Sequence, residues 1–233
     1  LVFKETPFYA ESGGQVGDTG VIKTSAGEFS VVDTVRQNDR IIHLVRKTGD
    51  FPKNSAKVTL AVDEKRRRMT AANHTATHIM QAVLREVLGD HVHQSGSLVT
   101  PERLRFDFTH FERLTPEQLA EVERRVNAVI GAGYDVCAQI KSYDEAVAEG
   151  AMALFSEKYG DQVRMVRVGD FSKELCGGTH VTNTAQIRYF RIVSEGSVAT
   201  GVRRIEAVTG EKALELVEEE RHLVREVAER LKT

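Results

Sequence analysis

Four residues in two short segments carry side chains that could bind a metal ion. His74 and His78 are four residues apart, and Cys176 and His180 have the same separation. Residues four apart on a helix share a face. The segment Cys176-Gly177-Gly178-Thr179-His180 is instead a glycine-rich turn, in which tight curvature can bring both ligands toward one point. A thiolate with imidazoles is a ligand set that suits zinc, so the two segments together predict one shared metal centre.

The spacing leaves alternatives to this metal centre open. Each pair alone is a weak signal, because C-x3-H is not among the common structural zinc spacings. On a helix, His74 and His78 point away from the apolar stripe that contains Ala76 and Ile79, which argues against two core histidines and leaves two solvated histidines as an alternative equal to metal binding. A purely structural site would use all four ligands, whereas a catalytic site keeps a position open. His180 is the least secure ligand, because the reach of its loop is not fixed by the sequence.

A glycine-rich segment and a glutamine are weaker candidates for the same site. Residues 11–20 contain four glycines but lack the dinucleotide-binding and P-loop patterns, and spacing alone favours tight turns between strands. Within that segment, Gly13 and Gly14 could let a ligand's backbone or phosphate approach closely. The amide of Gln94 can donate and accept hydrogen bonds, and it could orient a substrate hydroxyl or carbonyl. Without further information Gln94 would be an ordinary exposed glutamine.

The elements that must position these residues predict an α+β fold. Residues 1–62 are short β-rich stretches (21–22, 29–35, 41–45 and 58–62) separated by turns at 25–28 and 37–40, which indicates a small barrel-like β unit. A long helix follows over 64–88, with Asp63 as its N-cap and Gly89 at its end. We expect a strand pair at 92–99 and 104–108, and a capping box at Thr115 that opens a helix ending near Gly131.

The rest of the chain completes this prediction. We expect a short helix over 142–150, strands at 163–168, 187–193 and 202–208, and a charged helix over 211–232. The predicted domains are a β subdomain at 1–62, an α+β metal-binding core at 63–209 and a C-terminal helix at 210–233.

Composition excludes several classes of protein. The 233 residues are 41% hydrophobic and 28% charged, as in ordinary globular proteins, and no apolar run is long enough to span a bilayer. Two cysteines argue against a disulfide scaffold and favour a reducing compartment, here taken as the cytoplasm. The net charge of −2 gives no overall sign of nucleic-acid binding, and the basic runs at 65–68 and 203–204 are weak signals alone. Because the chain begins without Met and has no secretory signal, we expect a piece of a longer protein.

Several segments closely resemble the editing domain of alanyl-tRNA synthetases. They are His74 to His78, Arg105 to Phe108, Cys176 to His180 and Gly201 to Gly210, and residues 7–15 resemble the segment that leads into that domain. The two ligand spacings alone are shared with threonyl-tRNA synthetase editing domains and free-standing alanyl-tRNA editing proteins. The Cys-Gly-Gly-Thr-His form and the Arg-Ile-Glu-Ala-Val-Thr-Gly stretch favour the alanyl branch. The resemblance covers essentially the whole chain.

This resemblance implies a specific reaction, partner and ligand set. Serine or glycine wrongly attached to tRNA(Ala) would be removed by hydrolysis of its ester to the terminal adenosine, so the partner is the acceptor end of that tRNA. Zinc would be bound by His74, His78, Cys176 and His180. Gln94 would handle the amino acid, so that Gln94 and Cys176 are the candidate catalytic residues. Arg203 would contact tRNA, and Gly13 and Gly14 are further candidates for contact with tRNA or the substrate. The class II aminoacylation core would lie upstream, and the C-terminal helix would begin a linker to a dimerising module, which leaves the oligomeric state open.

A second hydrolytic site has an energetic reason to exist. A pocket made for alanine excludes glycine or serine weakly, because one such group is worth only about 1–3 kcal/mol. Three other functions remain open. One is threonyl-type editing, another is a zinc-stabilised tRNA-binding module without activity, and the third and weaker one is a zinc hydrolase of small molecules.

Overall fold

Eleven β-strands in three antiparallel sheets and four α-helices make up the fold within residues 1–25, 27–46, 57–153 and 160–231, which a computed structural model describes. The expected α+β class is therefore confirmed. The predicted division into domains at residues 62 and 209 stays a prediction.

The first sheet is formed by strands at the positions that the sequence predicts. They are β1 (Gly20–Thr24), β2 (Gly27–Gln37), β3 (Arg40–Val45) and β4 (Thr59–Val62), in the order β3-β2-β1-β4. The expected barrel-like closure is not found, because the two edge strands, β3 and β4, do not pair with each other in the described part of the chain. Ala26 of one predicted turn lies outside the described residues.

Helix α1 (Glu64–Leu88) has the bounds that its capping residues predict. The Asp63 carboxylate accepts a hydrogen bond from the Arg66 N–H at 3.0 Å, and the helix ends at Gly89, whose φ is 116°. Every residue from Thr70 to Gln81 is buried. One side of α1 therefore packs on the main core, and its opposite side is covered as well.

The next elements are two antiparallel paired strands and a helix, all of which support α1. They are β5 (Gln94–Val99), β6 (Leu104–Thr109) and α2 (Pro116–Ala132). Phe106 and Phe108 of β6 are fully buried in the same core as Ile79 of α1. The predicted capping box is present, because the Thr115 hydroxyl accepts from the Gln118 N–H while the Gln118 side chain accepts from the Thr115 N–H.

A small three-stranded sheet leads into the cysteine-containing turn. It consists of β7 (Val136–Ser142), β8 (Gln162–Val168) and β9 (Ser172–Leu175), with α3 (Tyr143–Ala148) after β7. The sequence predicts β8 and α3 but not β7 or β9. Only Val136 of β7 is buried, so the strand has no alternating hydrophobic pattern to reveal it. Cys176 directly follows the last residue of β9.

The final elements are two strands that complete the main sheet, whose order is β10-β11-β6-β5, and a C-terminal helix. They are β10 (Phe190–Ala199), β11 (Val202–Thr209) and α4 (Gly210–Leu231). The strand predicted at 187–193 instead spans Phe190–Ala199. It begins later than predicted because Thr184–Ile187 forms a 3₁₀ turn. Of α4, only Ala213 is buried. None of the helices in the described ranges has the length and apolarity needed to cross a membrane.

Candidate metal centre

The structure brings all four predicted ligands together. One donor atom from each of His74, His78, Cys176 and His180 lies within 4.8 Å of the others. The Cys176 Sγ atom is 3.4 Å from His74 Nε2 and 3.3 Å from His180 Nε2. His180, the least secure ligand in the sequence, is therefore part of the cluster. Three imidazoles and one thiol at this separation fit the donor set of a tetrahedral zinc site.

His74 and His78 are buried rather than solvated, since each is only 6% exposed. The interpretation as two surface histidines is thus wrong. They do lie opposite the Ala76 and Ile79 face, as helix geometry predicts, but the loop of residues 176–180 and the side chain of Gln15 cover that side of α1.

Contacts to its backbone fix the shape of the cysteine-containing loop, and a glycine allows it to approach α1. The Arg164 guanidinium donates to the carbonyl oxygens of Cys176 and Gly178, both at 2.8 Å. The Gly178 N–H donates to Cys176 Sγ at 3.3 Å. A Cβ at Gly178 would lie 2.1 Å from His74 Cε1, so only glycine allows this approach.

The orientation of His180 is set by a hydroxyl on α1. The Thr75 hydroxyl donates to the Ala71 carbonyl at 2.9 Å, so toward His180 Nδ1, at 3.1 Å, it acts as the acceptor. His180 then carries its proton on Nδ1. Its Nε2 is left unprotonated and faces Cys176, as metal ligation requires.

The other two histidines also place Nδ1 against a protein oxygen. His74 Nδ1 is 2.7 Å from Gln15 Oε1, and His78 Nδ1 is 3.3 Å from Glu174 Oε2. Glu174 is itself buried and accepts a hydrogen bond from the Ser172 hydroxyl. A hydrogen-bonded outer partner such as Gln15 fixes ring orientation and tautomer in metal sites. The contact of His78 with Glu174 lies at ion-pair distance and lacks the geometry of a hydrogen bond.

The electrostatics of the cluster favour a thiolate. Burial alone raises the pKa of the Cys176 thiol, but the neighbouring imidazoles of His74, His78 and His180 outweigh this effect and hold that pKa well below its ordinary value. Burial and the neighbouring histidine charges lower the pKa of His180 to about 3. Burial also lowers the pKa of His78, but the charges of Glu174 and Cys176 outweigh burial and raise that pKa to about 9. The thiolate and the neutral His180 imidazole are the forms that bind metals.

A small cavity of about 80 Å³ opens beside the cluster. His74, His78 and Cys176 line it, and its other polar side chains are Tyr9, Ser12, Thr77, Gln94, Ser97 and Glu174, with Gly13 also on the wall. Burial raises the pKa of Tyr9 to about 12, and its neutral hydroxyl donates to the Ser12 carbonyl at 3.0 Å. Two predicted contact residues, Gly13 and Gln94, therefore share a cavity with the predicted ligands.

Two other candidate contact residues make close contacts with other parts of the protein. Gly14 has φ of 83°, and a Cβ there would lie 2.5 Å from the Ser97 carbonyl oxygen. Arg203 is 9% exposed, and its Nε donates to Glu195 Oε1 at 2.6 Å. The roles of Gly14 and Arg203 in contacting tRNA or substrate stay predictions.

Sequence reasoning missed the residues that support the ligands. Gln15, Thr75, Arg164 and Glu174 have no diagnostic spacing. Thr75 stands inside the His74 to His78 segment and Gln15 inside the glycine-rich segment, so proximity to a motif was the one available signal.

Comparison with known proteins places the chain among aminoacyl-tRNA synthetases. It is 54% identical over 233 residues to an alanine–tRNA ligase of Methylococcus capsulatus, covering 100% of this chain and 27% of the relative. The chain belongs to the alanine–tRNA ligase family. The alanine–tRNA ligase of Fervidobacterium nodosum is 55% identical over 224 residues, covering 96% of the chain and 26% of the relative. That of Thermotoga petrophila is 51% identical over 230 residues, covering 98% and 27%. The chain thus spans about a quarter of the length of these relatives.

Two family models match separate parts of this alanine–tRNA ligase segment. Residues 163–206 match the threonyl and alanyl tRNA synthetase second additional domain, and this stretch contains Cys176, His180 and Arg203. Residues 1–66 match the model of class II (A) tRNA synthetases, and this stretch contains Gln15. That the aminoacylation core itself lies upstream of these residues stays a prediction.

Proposed function

We propose that this chain is an aminoacyl-tRNA deacylase, which hydrolyses the ester of serine or glycine wrongly attached to tRNA(Ala) at a zinc site. The observation that carries the proposal is the position of His74, His78 and Cys176 on the wall of the same small cavity as Gln94. Sequence similarity to alanine–tRNA ligases supports tRNA as the partner, and the match to the second additional domain supports editing as the reaction.

The chain's own residues divide into ligands and substrate-positioning groups. His74, His78, Cys176 and His180 would hold the ion. Bound zinc supplies Lewis-acid polarisation of a carbonyl or a water of lowered pKa. The Gln94 amide would orient the amino acid in the cavity. An aminoacyl ester is intrinsically labile, so positioning contributes much of the required rate.

Selection against alanine follows from the polar lining of the cavity. A serine hydroxyl can exchange hydrogen bonds with Gln94, whereas alanine would leave the half-buried amide without that partner. The cavity of about 80 Å³ has room only for a small aminoacyl group. We place the reaction in the cytoplasm with the acceptor end of tRNA(Ala) as partner, and Arg203 remains the proposed tRNA contact.

A deacylation assay tests this function. We expect the zinc-loaded chain to hydrolyse seryl-tRNA(Ala) faster than seryl-tRNA(Thr). We expect Cys176→Ala, or removal of the metal, to reduce the rate of deacylation to that of uncatalysed hydrolysis. Cys137→Ala is the matched control, because Cys137 is exposed and outside the cluster. Equal rates for the Cys176→Ala variant and the control would contradict the metal-centred reaction, and a preference for seryl-tRNA(Thr) would favour threonyl-type editing.

A zinc-stabilised tRNA-binding module is the second candidate, and the four protein donors within 4.8 Å are the observation that favours it. Structural zinc sites use four protein ligands. In that case the chain would bind tRNA without hydrolysing its ester, and removal of the ion would unfold it. Circular dichroism of the stripped chain, recorded beside the deacylation assay, separates the two functions.

A further inference from the structure

The glycine-rich segment reaches the metal cluster through one side chain, and we propose that Gln15 is a positioning residue that fixes His74 and the cysteine-containing loop for metal binding. The inference rests on the proposed metal binding but not on the proposed substrate. Gln15 comes from the part of the chain that precedes β1, whereas the four ligands come from α1 and the loop after β9.

Three donors from two distant segments converge on one oxygen of Gln15. Its Oε1 is 2.7 Å from His74 Nδ1, 2.9 Å from the Thr179 N–H nitrogen and 3.2 Å from the Thr179 hydroxyl. The side chain therefore links the first ligand on α1 to the residue that precedes the last ligand, His180.

These contacts decide the protonation of His74. A backbone N–H can only donate, so the atom of Gln15 that faces Thr179 must be the amide oxygen. His74 Nδ1 then has an acceptor in front of it and carries the proton. The unprotonated Nε2 is left facing Cys176 Sγ at 3.4 Å, which is the form that binds a metal.

Burial of Gln15 is better explained by this role than by packing. The residue is 1% exposed, and its Nε2 has no hydrogen-bond partner among the described residues. Burying half an amide without a partner costs free energy, which an apolar side chain of similar shape would avoid. The feature that an apolar residue could not reproduce is the acceptor oxygen.

The glycines around Gln15 allow it to reach the cluster. Gly13 and Gly14 have φ of 58° and 83°, and the Val99 N–H donates to the Gly14 carbonyl at 2.7 Å. The Val16 N–H donates to the Val99 carbonyl, so residues on both sides of Gln15 are fixed to the edge of β5. On the other side, a Cβ at Gly178 would come within 2.8 Å of Gln15 Oε1. The turns predicted from spacing thus also serve the metal centre.

Substitution of Gln15 combined with zinc titration tests the inference. Gln15→Met removes the acceptor at similar size, Gln15→Glu keeps an acceptor, and Gln81→Met makes the same change at a buried glutamine that is not one of the cluster's ligands. We expect Gln15→Met to weaken zinc affinity about 10–100-fold, as loss of an outer partner does. We expect Gln15→Glu to restore most of that affinity and Gln81→Met to leave it unchanged. Affinity is measured by competition with a chromophoric chelator.

A spectroscopic readout keeps the test independent of folding. In the zinc-loaded chain, nitrogen NMR should show His74 protonated at Nδ1, and zinc-saturated Gln15→Met should lose protection of that proton from exchange with water. Wild-type affinity and an unchanged His74 signal in Gln15→Met would overturn the inference alone. Absence of zinc binding by the unsubstituted chain would overturn both this inference and the proposed function. Zinc binding that depends on Gln15, in a chain without deacylation, would overturn only the proposed function.

Discussion

Gly178 lies against the ring of His74 so closely that a Cβ at position 178 would be 2.1 Å from His74 Cε1. We expect Gly178→Ala to displace the ring or the loop and to weaken zinc affinity by about 10–100-fold, as misplaced support of a ligand does. Gly177→Ala is the matched control, because a Cβ there meets nothing within 4 Å. Chelator competition measures both variants, and equal affinities would show that the loop does not need this close approach.

Gln94 shares the cavity with three ligands but is not itself part of the cluster. We therefore expect Gln94→Ala to slow deacylation of seryl-tRNA(Ala) while zinc affinity stays unchanged. Loss of one hydrogen bond, about 1–3 kcal/mol, corresponds to roughly 5- to 150-fold in rate. Single-turnover deacylation gives the rate, with Gln139→Ala on exposed β7 as the control. An unchanged rate in Gln94→Ala would remove Gln94 from the substrate-positioning groups.

Arg203 is held in a buried ion pair, in which its side chain is 11% exposed and that of Glu195 is 3% exposed. Removal of one partner leaves the other charge buried and unpaired, so we expect Glu195→Ala to lower the free energy of unfolding by about 3–5 kcal/mol. Urea denaturation of the zinc-loaded chain measures this change. The control is Glu206→Ala, since the pair of Glu206 with Arg103 is more exposed. Equal stability of the two variants would mean that Glu195 is not needed to hold Arg203.

Much of the fold follows from local signals in the sequence. The bounds of α1 follow from Asp63 and Gly89, and the start of α2 follows from the Thr115 capping box, because a cap is set by residues within one turn. Strand β7 escapes prediction, since its mostly exposed residues carry no period-two pattern. Whether the first sheet closes depends on pairing between strands distant in sequence, and no local pattern encodes it.

The four residues of the cluster are predictable from residue type and spacing, but the residues that support them are not. Gln15 contacts His74, which is 59 positions away in the sequence, and Thr179, which is 164 positions away. A glutamine or threonine has many ordinary roles, and only the folded chain shows which of them face an imidazole. The burial of His74 and His78 has the same origin, because the segments that cover them are remote in sequence.

Zinc titration of the metal-stripped chain, followed by the rate of seryl-tRNA(Ala) deacylation, tests the central claim most directly. We expect little hydrolysis beyond the uncatalysed rate before zinc is added, and a rate that rises until a single zinc ion is bound per chain. Cys176→Ala should show no such rise, because it lacks the thiolate ligand. Full activity in the stripped chain, or a rate that zinc does not change, would contradict metal-centred editing by this site.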